Sequence, residues 1–305
     1  MVSAVFHSPS DASDALRADK AATKSSPKAM NANASAPASV TPAAPAKAPI
    51  DWAGLALQTL APVAGIALMV AIWALLTMKS TTFPTPLATW TEAVKLFSDP
   101  FYSNGPNDQG LGWNILFSLK RVAMGFGLAA LVGIPMGFII GRSKIVSSML
   151  NPIISLLRPV SPLAWLPIGL LVFKSADPAA IWTIFICSIW PMIINTAVGV
   201  QRVPEDYLNV AKVLNLSEWK IVTKILFPSV LPYMLTGVRL SVGTAWLVIV
   251  AAEMLTGGVG IGFWVWDEWN NLNVSHILIA IFVIGIVGLL LENLLIAVAN
   301  RFSFE

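Results

Sequence analysis

Residues 203–220 of the 305-residue chain read Val203-Pro204-Glu205-Asp206-Tyr207-Leu208-Asn209-Val210-Ala211-Lys212-Val213-Leu214-Asn215-Leu216-Ser217-Glu218-Trp219-Lys220. Pro204 suits the first turn of a helix, and Glu205 and Asp206 complement the helix dipole at that end. Asn215 can take the left-handed conformation in which helices commonly stop, a place usually filled by glycine. Ser217 can then cap a second short helix, running through Trp219 and Ile225 to Phe227-Pro228. The stretch therefore predicts two short amphipathic helices with a sharp break between them.

On either side of this loop the chain becomes apolar. A membrane helix needs about 20 mostly apolar residues, and six runs qualify, at about 57–78, 114–140, 147–173, 178–200, 229–255 and 276–299. Hydrophobic residues make up 56% of the chain and charged residues only 11%, with a mean hydropathy of +0.74. A soluble domain carries about 25% charged residues, so a soluble protein is excluded. The expected fold class is an all-α membrane protein of about six transmembrane helices. The third run contains Pro152, Pro159, Pro162 and Pro167, which predict a kinked or split crossing whose freed backbone groups are satisfied by neighbouring helices. In the second run Ala129, Gly133, Gly137 and Gly141 recur every fourth residue, a ridge that lets another helix come close.

Orientation follows from the basic residues of the short loops. One side holds Arg142, Lys144, Arg202, Lys212, Lys220, Lys224 and Arg301; the other holds Lys79, Lys95 and Lys174. Both ends of the chain are therefore expected in the cytoplasm. Residues 1–50 are mostly Ala, Ser, Pro and Lys and cannot bury enough surface to fold. They are expected to form a disordered cytoplasmic tail ahead of a membrane domain spanning 51–305. The tail lacks the apolar core of a cleaved signal peptide. Its Lys20, Lys24 and Lys28 read as a solvated linker within reach of anionic lipid. The net charge of +3 is spread between the apolar runs, a pattern that orients a membrane protein and gives no reason to expect nucleic acid. The single cysteine, Cys187, cannot form an internal disulfide and reads as a small buried hydrophobe. No His/Asp/Glu cluster has metal-ligand spacing. The Gly137 and Gly257–Gly262 regions match neither a P-loop nor a dinucleotide fingerprint. No catalytic residue and no metal site are expected.

The loop resembles the cytoplasmic loop of ABC importer permeases, whose pattern is E-A-A, three residues, G, nine residues, then I-x-L-P. Asn209-Val210-Ala211, Asn215, Ile225, Phe227 and Pro228 stand at those positions. The spacing agrees throughout, while Asn209, Val210, Asn215 and Phe227 depart from the pattern. Arg158-Pro159-Val160-Ser161-Pro162-Leu163-Ala164-Trp165-Leu166-Pro167, Thr236-Gly237-Val238-Arg239 and Ala252-Glu253-Met254-Leu255-Thr256-Gly257-Gly258-Val259-Gly260-Ile261-Gly262 are similar to the branch that imports nitrate, cyanate, taurine and sulfonates. The outer loop from Asp99 to Trp113 and the stretch from Trp190 to Gln201 resemble the nitrate type in particular.

The resemblance implies a type I ABC importer permease fold in the bacterial inner (cytoplasmic) membrane. It implies a transmembrane subunit for nitrate, with nitrite beside it; cyanate, bicarbonate, taurine and sulfonates are the alternatives within the family. The implied partners are a second permease copy forming a homodimer, two cytoplasmic ATPase subunits that carry ATP and Mg, a periplasmic or lipid-anchored binding protein, and membrane lipid. The permease itself would need no cofactor and catalyse nothing. The coupling loop, about 201–228, would dock an ATPase through the segment bearing Glu205, Leu208, Asn209, Val210, Ala211, Val213, Leu214 and Asn215, with Leu208, Val210, Ala211, Val213 and Leu214 as contacts in a groove.

Charges inside apolar runs cost at least about 2.5–3.5 kcal/mol each, which singles out Arg158, Arg239, Glu253 and Glu292. Arginine suits a delocalised monovalent anion, so Arg158 and Arg239 are the candidate anion pathway; a structural ion pair is the competing reading. Lys120 and Arg121, near the outer end of the second run, are expected to snorkel. His276, Trp264, Trp266 and Trp269 are expected at the outer interface, the tryptophans as a belt or as binding-protein contacts. An ion-coupled secondary transporter would show inverted repeats, of which the sequence has no clear example, and a membrane scaffold would not need these motifs. The orientation has a direct test. Cysteines at Asn107 and Asn271 label from outside intact cells and one at Ser217 does not; outside labelling at Ser217 overturns the topology.

Overall fold

The computed structural model describes residues 52–80, 82–105 and 108–302. The expected tail, with Lys20, Lys24 and Lys28, and Asn107 of the outer loop lie outside them. Eleven helices follow one another among the described residues: α1 (Trp52–Thr77), α2 (Pro86–Ser98), α3 (Leu111–Arg142), α4 (Lys144–Leu157), α5 (Pro162–Phe173), α6 (Ala176–Gln201), α7 (Glu205–Val213), α8 (Glu218–Ile221), α9 (Phe227–Thr256), α10 (Ile261–Asn270) and α11 (Val274–Phe302). A π turn at Val222–Leu226 joins α8 to α9. α1, α3, α6, the α8–α9 rod and α11 are each long and apolar enough to cross a membrane. The expected third crossing is split into α4 and α5, which meet at 100°. Pro159 and Pro162 flank the break, where they remove backbone donors and bar a continuous helix.

Helix α6 is the centre. Gly125, Gly133, Gly137 and Gly141 of α3 face Ile184, Met192, Thr196 and Val200 of α6 in that order. The two helices therefore run in the same direction, with their backbones brought close by the small-residue ridge. Parallel neighbours cannot be joined unless the chain between them returns across the membrane, so α4 and α5 together make a crossing despite their bend. On its other side α6 meets α9 in the opposite sense. Gly199 faces Val230 and Tyr233, Gly237 faces the Pro191 carbonyl, and Ser241 Oγ donates to the Ser188 carbonyl at 2.7 Å. Ala129, Ile184, Ile249 and Ala245 are buried in the resulting core. α11 closes against α9, where Trp246 Nε1 donates to the Ile284 carbonyl at 2.9 Å.

Two helices arise where the sequence suggested outer loops. Pro86 starts α2, with the Thr85 hydroxyl accepting from Ala88 N at 3.3 Å. α10 follows the glycine run after α9.

The α3–α6 seam sets a test. A β-carbon on Gly137 would stand 2.5 Å from Thr196 Cβ and 2.9 Å from the Ile193 carbonyl oxygen, whereas one on Gly127 meets nothing within 4 Å. Gly137→Ala should lower stability by about 1–3 kcal/mol, and Gly127→Ala should be neutral or gain up to about 1 kcal/mol of helix propensity. Thermal unfolding of the two variants in detergent checks this; equal midpoints would refute the close approach.

Candidate functional site

At the C-terminal end of α6 the loop folds as two short helices with a break, and the break has a defined geometry. Asn215 has φ +49°. Its N–H donates to the Lys212 carbonyl at 3.0 Å, and the Leu216 N–H reaches back to the Ala211 carbonyl at 3.0 Å. This pair of bonds is a Schellman motif with asparagine where glycine is usual. Ser217 stands at the start of α8, yet its hydroxyl makes no cap bond, so the expected side-chain cap is absent. α8 is not a separate helix either. Pro228 has no N–H to offer the Lys224 carbonyl, and the chain adjusts with a π turn in which Phe227 N donates to the Val222 carbonyl. The result is one helical rod from Glu218 to Thr256.

Residues of α7 divide by face. Ala211 is fully buried, packed among Val200, Val203, Ile221, Leu226 and Val230 of its own chain, with Leu208 partly buried beside it. The expectation that Ala211 contacts a partner is therefore corrected: it is the residue by which α7 lies down on the membrane helices. The opposite face leaves large apolar groups open. Val213 is 81% exposed, and Leu214, Val210, Tyr207 and Trp219 are exposed with it. Such a cluster on a polar loop marks an interaction surface. Glu205 and Asn209 complete the helix, and Arg142 Nη2 ties its neighbour Glu218 to the end of α3 at 2.7 Å.

A second polar cluster sits at the far end of α3, and here the sequence reading needs correction. Arg121 does not snorkel. Its guanidinium bonds Glu253 Oε1 at 2.7 Å, the Val259 carbonyl at 2.5 Å and Asp177 Oδ1 at 2.8 Å. Glu253 is 1% exposed and accepts also from Ser118 Oγ at 2.7 Å and Gly262 N at 3.0 Å. The first N–H groups of a helix have no partner within it. At α10 they are met from elsewhere: Gly260 N donates to Asn114 Oδ1 and Ile261 N to Ser118 Oγ, both at 2.9 Å. Gly257 and Gly258 turn the chain with φ +75° and +92°, and a β-carbon on Gly260 would collide with the Glu253 carboxylate. Asn114, Ser118 and Arg121 lie at i, i+4 and i+7, one face of α3. That spacing, set against the acidic Glu253 in an apolar run, was the signal available in the sequence.

The two candidate arginines differ. Arg239 of α9 donates through Nε to Glu292 Oε1 of α11 at 2.9 Å and through Nη2 to the same oxygen, so its charge is matched. Arg158, at the end of α4, has no ion pair among the described residues. Between α10 and α11, His276 Nδ1 lies 2.9 Å from Glu268 Oε1, with the ring stacked on Trp264. Trp264 is buried, which removes it from the expected belt, while Trp266 and Trp269 remain exposed.

Residues 133–303 match the family of binding-protein-dependent transport system inner membrane components. The chain belongs to that family. It is 48% identical over 237 residues to the nitrate import permease protein NrtB of Synechocystis sp., covering 77% of this chain and 86% of the relative. It is 47% identical over 238 residues to the bicarbonate transport system permease protein CmpB of the same organism, covering 77% and 85%. Among solved structures, an inward-facing MetNI methionine ABC transporter superposes with a TM-score of 0.55 at 13% identity, covering 64% of this chain and 96% of that one. An amino acid ABC transporter superposes with a TM-score of 0.51 at 15% identity, covering 72% and 100%. The fold is that of the ABC importer permeases. As a member of the family, the chain is a multi-pass transport component.

Breaking a buried ion pair by removing one partner costs about 3–5 kcal/mol. Arg121→Gln should lose about that much, and the double variant Arg121→Gln, Glu253→Gln should lose less than the two single variants added together. Unfolding midpoints of the three proteins measure it, and a loss below about 1 kcal/mol for Arg121→Gln would show that the pair holds nothing.

Proposed function

We propose that this chain is the membrane subunit of an ATP-driven importer of nitrate. The observation that carries the reading is the 48% identity, over 237 residues, to a nitrate import permease. Two copies form the pore, two cytoplasmic ATPase subunits bind ATP and Mg, and a binding protein delivers the anion at the outer face. The permease catalyses nothing itself. Both ends of the chain lie in the cytoplasm, as the basic loops favour. A bicarbonate importer is the second reading, favoured by the 47% identity to a bicarbonate permease; nitrate and bicarbonate are both small, monovalent oxyanions with a planar three-oxygen frame.

The loop at about 201–228 couples the ATPase to the pore. Its exposed face, with Val210, Val213 and Leu214, enters a groove on the ATPase, and Ala211 anchors the helix from behind. A charge buried at an interface without a partner must be desolvated unmatched. Val213→Glu therefore weakens ATPase association by at least about tenfold and leaves the permease folded. Ala211→Glu places the charge in the permease's own core and lowers the stability of the subunit. The test uses the complete complex in proteoliposomes. ATP-dependent uptake of labelled nitrate, lost with Val213→Glu, supports the proposal. Uptake of bicarbonate in its place selects the second reading, and unchanged uptake with Val213→Glu removes the coupling role from this face.

A further inference from the structure

Helix α4 carries three kinds of side chain on three flanks. Val146, Leu150 and Ile154 face inward and pack with Ile189, Met192, Ile193 and Ala197. Ile145, Met149 and Leu156 are between 66% and 74% exposed and form an apolar flank suited to lipid. Ser147, Asn151, Ser155 and Arg158 recur at i, i+4, i+8 and i+11, one line along a helix of 3.6 residues per turn. Asn151, Ser155 and Arg158 are exposed in the single chain, and Asn151 Nδ2 bonds Ser147 Oγ at 3.0 Å along that line.

This polar flank is costly in hydrocarbon, where polar and charged side chains turn toward protein or water. Long side chains can escape to the headgroups, but the short side chains of Asn151 and Ser155 cannot. Several hydroxyls on α9 and the turn before it satisfy themselves internally: Thr223, Ser229, Thr236 and Thr244 each donate to the carbonyl four residues earlier. Ser155 makes no such bond among the described residues. Beside this flank lies a cavity of about 520 Å³, lined by Asn151, Ile154, Ser155, Arg158, Pro159 and Ile194. Ile194 lies seven residues before Gln201, about 10 Å along α6 from its inner end, so the cavity lies within the depth of a core about 30 Å thick. The break between α4 and α5 places Arg158 at this cavity, whose lining includes the Asn151 amide and the Ser155 hydroxyl and no acidic side chain. Arg239 lacks this setting, because Glu292 already neutralises it.

We propose that the polar flank of α4 is a wall of a water-filled passage that binds small oxyanions, with Arg158 supplying the charge and Asn151 and Ser155 the hydrogen-bond donors. The inference rests on the importer reading for its direction of transport, but not for the existence of the site.

The test places single cysteines at Ser155, Asn151 and Met149 in the complete complex with Cys187→Ala, in membrane fragments open on both sides. The probes are two membrane-impermeant methanethiosulfonates, one a sulfonate anion and the other a quaternary ammonium cation. Cysteines at Ser155 and Asn151 should react with both, faster with the anion by on the order of tenfold, and that preference should vanish with Arg158→Gln. The cysteine at Met149 should stay inert. If the cysteines at Ser155 and Asn151 are as inert as that at Met149, the flank is sealed by protein, such as a second copy, and the passage is refuted. Reaction without preference for the anion, or a preference that survives Arg158→Gln, refutes the anion site. Labelling needs no transported substrate. A complex that imports no nitrate yet labels as expected overturns the substrate reading and leaves the site standing.

Discussion

Two helices that cross a membrane in the same direction oblige the chain between them to come back. The seam of α3 against α6 imposes that condition here, and the seam exists because α3 presents glycine where α6 presents Ile184, Met192, Thr196 and Val200. Inside a bilayer there is little hydrophobic gain in bringing helices together, so close packing and interhelical hydrogen bonds must supply the attraction. The glycine ridge provides the first and the Ser241–Ser188 bond between α9 and α6 an instance of the second. The returning segment pays for its prolines with a 100° bend between α4 and α5, and that bend leaves Arg158 at an exposed corner instead of within a helix.

At the start of α10 the governing rule is backbone satisfaction. α10 begins immediately after a glycine run whose conformation leaves its first N–H groups without local partners. Asn114 and Ser118 from α3 and Glu253 from α9 take them instead. A buried ion pair is weak evidence for stability on its own, because desolvation offsets attraction. Here the carboxylate also accepts a hydroxyl and a backbone N–H, and the guanidinium also reaches Asp177 and the Val259 carbonyl. The pair joins α3, α6, α9 and the glycine loop at one point.

Composition and period carried much of the fold. The apolar runs located the crossings to within a few residues, the four-residue spacing of small side chains located the α3 seam, and the tolerance of asparagine for positive φ located the break at Asn215. What failed to show was partnership at a distance. Arg121 and Glu253 are 132 residues apart, and the energetic cost of a charge in an apolar run says that a partner is needed without saying which. The inward turn of Ala211 was equally hidden. α7 is apolar on more than one side, so the pattern alone does not say which side meets the chain's own core and which is left open. In the same way, Arg158 and Arg239 looked alike in the sequence because each interrupts an apolar run; Glu292 separates them only in three dimensions.

The π turn at Val222–Leu226 has a mechanical meaning. Because it absorbs Pro228 without interrupting the helix, the 39 residues from Glu218 to Thr256 form one continuous element, about 58 Å long at 1.5 Å per residue. One end rests beside α7 on the loop, and Glu253, near the other, is clamped by Arg121. α6 packs along this rod, from Gly199 beside Val230 and Tyr233 to the Ser188 carbonyl beside Ser241, so the loop and the Arg121–Glu253 cluster sit on a single braced element. The widened turn, where a hydrogen bond spans five residues instead of four, is the one departure from α-helical spacing in that element, and it lies on the loop side of Pro228.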